Sequence, residues 1–432
     1  MIKQSLIYFK STYYITFISL LGYALFKYAN RAVGDVFLTV LLLGFIVALF
    51  KDSLLRKDTM LKLFLAAVIV SVVSFFFNKN SGDYRPDHFS ISPLGNLFYF
   101  VILGYFLQGS LKKTALFLVA LCLGITLSYI LNSGVFLHEF ALVMQGERVD
   151  FGLVNANHTA TIAGVAMVLS GIFLYWLVSR RVVLSLKVRI AFVFFAVINF
   201  VVNAIVVYGT KSREVWLALL LVFILALCFL LYRFLFQQRS VAKLIVLLGA
   251  SSVLLFSAYH QPEINKRVTE EIYIINDFIH KNVKDIPSSS TGLRIKFVYS
   301  ALPWIEKYPV YGMGHRDARD FVIKKSTLFD QDVKKNYSHL HNGFVEVLVG
   351  YGIMGLLVVL GIYTLLIRAV VKAAPQQYKA FLLFASIAFV IYFSTINMFE
   401  SFLFFKTGEY IQTALLAAIY TFVIKRQQIN AA

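Results

Sequence analysis

The chain has 432 residues, of which 59% are hydrophobic and only 15% are charged, and its mean hydropathy is +0.76. A soluble domain cannot bury that much apolar surface, so the composition predicts a polytopic membrane protein. The net charge of +19 does not indicate a nucleic-acid-binding protein, because the basic residues are spread over short segments between apolar runs and do not form one patch.

The apolar runs predict an all-α polytopic membrane protein with about 12 transmembrane helices, each of roughly 17 to 25 residues. In chain order the predicted spans are 12–29, 34–50, 60–77, 93–109, 113–131, 158–178, 188–208, 213–236, 243–259, 342–368, 380–397 and 408–424.

The charges between the spans predict the topology. The segments after the even-numbered spans are short and basic, as Lys51 and Lys425 illustrate, so both termini are expected in the cytoplasm. The longest segment on the opposite side is expected to fold as a small loop domain, since aromatic and aliphatic residues recur through it. The predicted division is helices 1–9 at 1–259, the loop domain at 260–341 and helices 10–12 at 342–432.

The segment before the sixth span carries polar groups on the extracytoplasmic side. Arg148 supplies a cation, Gly152 a turn, and Asn155 and Asn157 two amides. These groups could bind a substrate. The alternative is a polar loop in which Asn157 caps the following helix.

The turn between the seventh and eighth spans places two cations at the start of a helix. Arg213 follows Lys211 and lies in the first turn of the eighth span, where the helix dipole disfavours positive charge. A cation kept there beside free backbone N–H groups forms an anion site, and arginine binds phosphate oxygens through two parallel hydrogen bonds. The alternative is an interfacial arginine paired with Glu214.

Two arginines of the 260–341 segment are further candidates for anion binding. Arg294 follows Thr291, which could cap a helix that begins near Gly292. Arg316 follows a glycine-rich stretch that could let the backbone approach a ligand. The alternatives are a solvated loop charge and an ordinary glycine turn.

His341 and Asn342 end the polar segment where the tenth span begins. An imidazole titrates near neutral pH, so His341 could accept a proton from a sugar hydroxyl. Nine residues separate Asn342 from Gly352, and Gly355 follows three later. A continuous helix would place His341, Gly352 and Gly355 on one face and let a neighbouring helix or a lipid tail approach closely. The alternative is an interfacial histidine without a role, and His339 is assigned none.

The acidic residues do not suggest a metal site. No carboxylate pair is evident outside 260–341, and cysteine and histidine do not cluster. We therefore expect no metal and no cofactor, so that arginines must neutralise any bound phosphates. Glu400, near the turn between the last two spans, is the one isolated acid of interest.

Taken together, these motifs resemble the O-antigen ligases of Gram-negative bacteria (the WaaL type), within the O-antigen ligase and polymerase superfamily. The resemblance covers nearly the whole chain. It rests on four motifs: His341-Asn342 with Gly352-x-x-Gly355, Lys211-Ser212-Arg213, Thr291-Gly292-Leu293-Arg294, and the segment from Arg148 to Asn157, which is a degenerate form of a superfamily stretch.

The resemblance implies a GT-C-type glycosyltransferase of the inner membrane with its active site facing the periplasm. The donor would be O-antigen polysaccharide on undecaprenyl diphosphate, and the acceptor a sugar hydroxyl of lipid A–core oligosaccharide. His341 would be the general base in a metal-independent, inverting displacement, while Arg213 and Arg294 would bind the diphosphate. The other polar residues expected to contact substrates are Lys211, Arg148, Asn157, Arg316 and Asn342.

Other functions remain open at this point. An O-antigen polymerase would use the same donor with another lipid-linked glycan as acceptor, and a relative that glycosylates proteins is a third possibility. A transporter of lipid-linked sugars is disfavoured, because that class carries ionisable groups or broken helices near the bilayer midplane. In this chain the ionisable residues lie at the predicted helix ends.

Overall fold

The computed structural model describes residues 2–79, 83–132, 134, 136–178, 185–236, 262–280 and 282–431. These residues form helices and connecting turns and include no β-strand. The predicted all-α fold is confirmed for this part of the chain, while the predicted ninth span, 243–259, lies outside the described residues.

The α-helices follow one another through short turns over most of the chain. In chain order they are α1 (Ile2–Ala29), α2 (Arg31–Lys51), α3 (Ser53–Arg56), α4 (Thr59–Asn78), α5 (Ser92–Gly95), α6 (Tyr99–Leu107), α7 (Leu111–Asn132), α8 (Phe136–Met144), α9 (Ala156–Val178), α10 (Leu186–Thr210), α11 (Arg213–Phe236), α12 (Pro262–His280), α13 (Ser290–Lys307), α14 (Ala318–Lys325), α15 (Gln331–Asn336), α16 (Gly343–Ala373), α17 (Lys379–Phe399) and α18 (Lys406–Ala431).

Eight of the described helices, namely α2, α4, α7, α9, α10, α11, α16 and α17, are long and apolar enough to cross a membrane. Two shorter apolar segments, Tyr14–Ala29 and Ser92–Leu107, coincide with the predicted first and fourth spans. The chain is therefore a multi-pass helical membrane protein, as its composition predicted.

The predicted twelfth span falls on α18, which occupies the inside of the bundle. Every residue from 411 to 424 is buried, because α18 packs against α6, α7 and α16. Gln412, Thr413 and Thr421 are among these buried residues. A helix that faces protein on all sides can carry such polar side chains, which in a membrane bind to neighbouring helices.

Helices α12 to α15 belong to the 260–341 segment. Phe297, Met313, Phe329 and Leu340 form a small hydrophobic core that also takes in Val349 of α16. This segment is therefore packed directly onto the beginning of α16, the helix that His341 precedes.

Helix α16 is interrupted at Gly352, which has φ 62° and ψ −160°, a conformation essentially confined to glycine. The turn before α14 fills the break: the N–H groups of Met313 and Gly314 donate to the carbonyls of Val349 and Gly350, and the N–H of Ile353 donates to the carbonyl of Pro309. The backbone groups freed by the break are thus satisfied by protein, as a membrane requires.

The expectation of one continuous glycine face on α16 was therefore wrong. His341 lies before the helix, and Gly352 leaves the helical path. A Cβ at Gly352 would lie 2.4 Å from the backbone of Val310. The glycine admits a turn of the 260–341 segment rather than a neighbouring helix or a lipid tail.

The glycines before Arg316 have a similar packing role. Gly312 and Gly314 have φ of +63° and +91°, and a Cβ on either would meet the backbone of α16 or α4 at 2.4 to 2.9 Å. The glycine-rich stretch therefore serves a close approach of backbone to helices, which agrees with the ordinary glycine turn given as the alternative, and a substrate contact of Arg316 stays a prediction.

Candidate active site

Two histidines and a glutamate meet where α16 begins and α17 ends. Nδ1 of His341 lies 2.9 Å from Oε1 of Glu400, and Nε2 of His339 lies 3.4 Å from the same oxygen. The two imidazole rings are 4.0 Å apart. The His341 contact is an ion pair by distance and not an aligned hydrogen bond, because the ring nitrogen meets no hydrogen-bond criterion. Such contacts are often loose before substrate binds.

The backbone holds His341 in an uncommon conformation. Its φ is +50°, a left-handed region that histidine visits more readily than most residues but at a cost. Asn342 follows and caps α16, since its side-chain oxygen accepts from the N–H groups of Phe344 and Val345. Its amide nitrogen donates to the carbonyl of Met398. Asn342 therefore has a structural role in positioning His341, and the substrate contact expected from the sequence stays a prediction.

Glu346 ties together the chain segments on both sides of this cluster. It is fully buried, and its carboxylate accepts from the N–H of Leu340 at 2.9 Å and from Oγ of Ser401 at 2.6 Å. Nη1 of Arg319 forms a 2.6 Å ion pair with its other oxygen. Leu340 precedes His341 and Ser401 follows Glu400, so Glu346 sets the distance between the two partners. Sequence analysis missed this residue, because a single acid near a helix start is also an ordinary first-turn residue.

Helix α13 brings Arg294 towards His341. The ring of Phe297 stacks on the imidazole of His341, with 5.5 Å between centroids and 22° between planes. Arg294 lies one turn earlier, and residues three apart share a face of a helix. Its Nη1 donates to Oγ of Ser290, whereas its buried Nε has no hydrogen-bond partner among the described residues. The contact of Phe297 with His341 and the unsatisfied donor of Arg294 thus lie on neighbouring turns of one helix.

The start of α13 differs by a few residues from the prediction. The helix begins at Ser290, and Oγ of Ser289 accepts from the N–H of Gly292. Thr291 is therefore inside the first turn and is not the cap. Arg294 still lies in the early part of the helix, as expected.

Arg148 and Asn157 are brought together as predicted. Nη2 of Arg148 donates to Oδ1 of Asn157 at 2.9 Å, and its Nε donates to the carbonyl of Thr210. The cap of α9 is Asn155, whose side chain accepts from the N–H of Asn157, so the predicted capping by Asn157 was wrong. Arg148 thus connects the start of α9 with the turn that holds Lys211.

Lys211 and Arg213 occupy the α10–α11 turn. Lys211 has φ +52° and ends α10. Arg213 forms a 3.1 Å ion pair with Glu270 of α12, an acidic partner that the sequence did not indicate. The ion pair joins the turn to the 260–341 segment, which also carries Arg294. Of the two arginines predicted to bind phosphate, one therefore belongs to this segment and the other contacts it.

His158 links these groups to the histidine pair. Its ring contacts those of Phe402 and Phe405 at 4.8 and 5.3 Å, and the Phe405 ring lies 5.1 Å from that of His339. Arg316 reaches the same turn, because its Nη1 donates to the carbonyl of Phe404 at 3.3 Å. The turn between α17 and α18 therefore contacts His158, His339 and Arg316, which come from three different segments of the chain.

Glu400 is ionised at neutral pH. Burial by itself would raise the pKa of its carboxyl, but the two imidazoles beside it outweigh the burial and hold the pKa well below its ordinary value. A carboxylate on one ring nitrogen orients an imidazole and stabilises the imidazolium that forms when the other nitrogen takes a proton. Glu400 therefore lies where a carboxylate could orient the imidazole of His341.

The same cluster has the donor types of a metal site. One ligand atom from each of His339, His341 and Glu400 lies within 4.8 Å of the others, and two imidazoles with a carboxylate suit zinc. The 260–341 segment also contains the neighbouring carboxylates of Asp330 and Asp332. Asp330 caps α15, because its side chain accepts from the N–H of Val333. The predicted absence of a metal therefore needs a direct test.

Comparison with known proteins gives one family. A model of the O-antigen ligase family matches residues 198–360, less than half of the chain but including Arg213, Arg294 and His341. This chain resembles the O-antigen ligases. The resemblance predicted from its motifs is thereby confirmed, and the match indicates a glycosyltransferase-like O-antigen ligase or polymerase. No curated protein matches the chain at a significant level. In this O-antigen ligase-like chain, Glu400 lies outside the matched segment and meets His341 only through folding.

Proposed function

We propose that this protein is a GT-C-type glycosyltransferase that transfers O-antigen polysaccharide from undecaprenyl diphosphate to a sugar hydroxyl of lipid A–core oligosaccharide. The observation that carries the proposal is the His341–Glu400 pair, with Arg294 one helical turn before Phe297, whose ring stacks on His341. A base next to an anion-binding donor is the combination that sugar transfer from a diphosphate requires. His341 and Glu400 lie at the ends of two membrane helices, where two lipid-anchored substrates could reach one site.

The reaction we propose is a single displacement. His341 takes the proton of the acceptor hydroxyl, whose oxygen forms a bond to the anomeric carbon of the donor sugar. The bond from that carbon to the diphosphate oxygen breaks, and undecaprenyl diphosphate leaves with the electron pair. Glu400 stabilises the imidazolium, and the configuration at the anomeric carbon inverts.

Arginine side chains take the place of a metal in this proposal. Arg294 and Arg213 would bind the diphosphate and neutralise the charge that grows as the bond breaks. Removing one such donor is expected to slow transfer by roughly 10²–10³-fold. Lys211 lies in the α10–α11 turn, and Arg148 donates to the carbonyl of Thr210 beside it; both would contact the same anionic donor.

The site is proposed to face the periplasm of a Gram-negative inner membrane. His341 and Glu400 lie at the ends of helices α16 and α17 opposite to the basic Lys372–Lys379 connection. Because short basic loops stay in the cytoplasm, this end of the bundle is expected outside it.

The test is transfer by the purified protein in detergent with only the two proposed substrates. Formation of full-length lipopolysaccharide that is lost in His341→Ala and retained in His339→Ala would support the proposal. Elongation of the lipid-linked glycan without transfer to lipid A–core would identify a polymerase. Equal activity of wild type and His341→Ala would refute the assignment of His341 as the base.

A chelator series in the same assay tests the metal. We expect full activity after exhaustive treatment with a chelator, because the arginines bind the diphosphate directly. Activity that is lost and returns only with added Zn²⁺ or Mg²⁺ would show instead that His339, His341 and Glu400 hold a metal ion.

A further inference from the structure

A polar cavity lies beside the candidate active site at the same end of the helix bundle. It has a volume of about 170 Å³ and is lined by residues of α1, α2 and α18 together with Tyr99. Its cations are Lys27, Arg31 and Lys406, and we call it the Lys27 cavity. Tyr23 and Tyr410 belong to the same lining.

The Lys27 cavity contains more cations than carboxylates. Lys27 is buried, with 3% of its side chain exposed, and it pairs with Asp35. Arg31 shares Asp35 at 3.6 Å, and Lys406 pairs with Glu409 at 3.1 Å. Three cations thus face two carboxylates. Lys27 is buried and paired, whereas the side chains of Arg31 and Lys406 are 65% and 57% exposed, so the excess positive charge lies where an anion from outside can pair with it.

The ends of two helices add to this positive potential. Arg31 is the first residue of α2, and Lys406 is the first residue of α18. Helix N-termini carry partial positive charge, so cations are disfavoured there and anions are favoured. Two such termini converge on one cavity that already contains a buried lysine. The ligand chemistry that fits all of these features is a phosphate group.

The cavity shares a chain segment with the active site. Phe405 contacts the ring of His339 at 5.1 Å, and Lys406 is the next residue. The hydroxyl of Thr407 lies 3.0 Å from Nδ1 of His158, and its carbonyl accepts from the hydroxyl of Tyr28. The two sites are therefore joined through the first residues of α18, so that one lipid-anchored acceptor could contact both.

We infer that the Lys27 cavity binds a phosphate group of the lipid-anchored acceptor and so holds the acceptor sugar towards His341. This inference rests on the proposed function. The donor diphosphate is assigned to Arg294 and Arg213, on the side of His341 that faces the 260–341 segment. The acceptor must come from elsewhere, and the cavity lies at helix ends, where lipid headgroups are found.

The test compares acceptors with and without phosphate. In the double variant Arg31→Gln/Lys406→Gln, the KM for phosphorylated lipid A–core is expected to rise by about tenfold or more, since each substitution removes a charge-assisted hydrogen bond to the phosphate. The donor KM and kcat are expected to stay near the wild-type values. Both side chains are more than half exposed, so the fold should tolerate the change. Lys79→Gln removes an exposed cation at the same end of the bundle and is the matched control.

Enzymatic removal of the acceptor phosphates supplies the second arm. Wild type and double variant should then have the same KM, because the group that the cavity recognises is gone. An equal rise in KM for phosphorylated and dephosphorylated acceptor would overturn the inference, and so would a rise in the donor KM alone. Strong competition by millimolar inorganic phosphate, with no effect of the acceptor's own phosphates, would assign the cavity to free phosphate.

A binding measurement separates this inference from the proposed function. Phosphorylated lipid A–core would be titrated into the protein in nanodiscs of uncharged lipid, without donor. Binding that is weakened in Arg31→Gln/Lys406→Gln but not in Lys79→Gln would support the cavity even if no sugar transfer occurred. Equal binding by all three proteins would refute it even if transfer were efficient.

Discussion

Replacing Glu400 by glutamine is the sharpest test of the proposed chemistry. The substitution keeps the size of the side chain but removes the charge beside Nδ1 of His341, 2.9 Å away. At an effective dielectric constant near 20, a carboxylate and an imidazolium at this distance attract by about 6 kcal/mol, which is an upper limit. Each 1.4 kcal/mol lost from the transition state costs about tenfold in rate. We expect kcat to fall by roughly 10²–10⁴-fold, a range that also covers the loss of an orienting carboxylate in hydrolytic triads.

The assay is single-turnover transfer with saturating donor and acceptor. The donor KM should change little, because the arginines that bind the diphosphate are untouched. Glu306→Gln, which alters an exposed acid of α13, is the control and should behave as wild type. A folded Glu400→Gln protein with activity within threefold of the control would refute the pairing of Glu400 with the base.

Three further predictions concern the surrounding structure. Gly352→Ala should destabilise the protein by about 1–3 kcal/mol or more, whereas Gly171→Ala, with open space around it, should be nearly neutral; equal melting temperatures in detergent would contradict this. Because the pKa of Glu400 is lowered by folding, its stabilising contribution is fully present above the ordinary pKa value and should be lost progressively as the pH falls below that value towards the lowered pKa. Glu400→Gln should lack that part of the decline, and parallel curves of melting temperature against pH would count against it. Arg294→Lys keeps the charge but loses the planar fork, so kcat/KM for the donor should fall by about tenfold or more, and unchanged kinetics would argue that Arg294 does not bind the diphosphate.

The apolar runs were sufficient to predict most of the bundle. Their length is set by the thickness of the bilayer, which acts on each helix separately. The helices of the structure accordingly lie close to the predicted spans, including α9 and α17. The exact caps were less well predicted, since Ser289 and Asn155 compete with neighbouring polar residues for the same N–H groups.

The break in α16 could not be predicted from the spacing of glycines. Gly352 and Gly355 at that spacing are equally compatible with a continuous helix face. The difference is made by residues 309–314, whose backbone enters the helix from a distant part of the chain and replaces its hydrogen bonds. Such a break also occurs in transporters, but there it lines a cavity, whereas here protein backbone fills it.

The sequence by itself determined that this is a helical membrane protein, that its cations gather at helix ends and that His341 and Arg294 carry the resemblance to O-antigen ligases. These properties follow from composition, spacing and motif, which are local in the chain. The tertiary structure alone decided that Glu400 and His339 meet at His341 and that Glu346 positions them. Glu400 is separated from His341 by two transmembrane helices, so their contact depends on how α16 packs against α17, which no local pattern records.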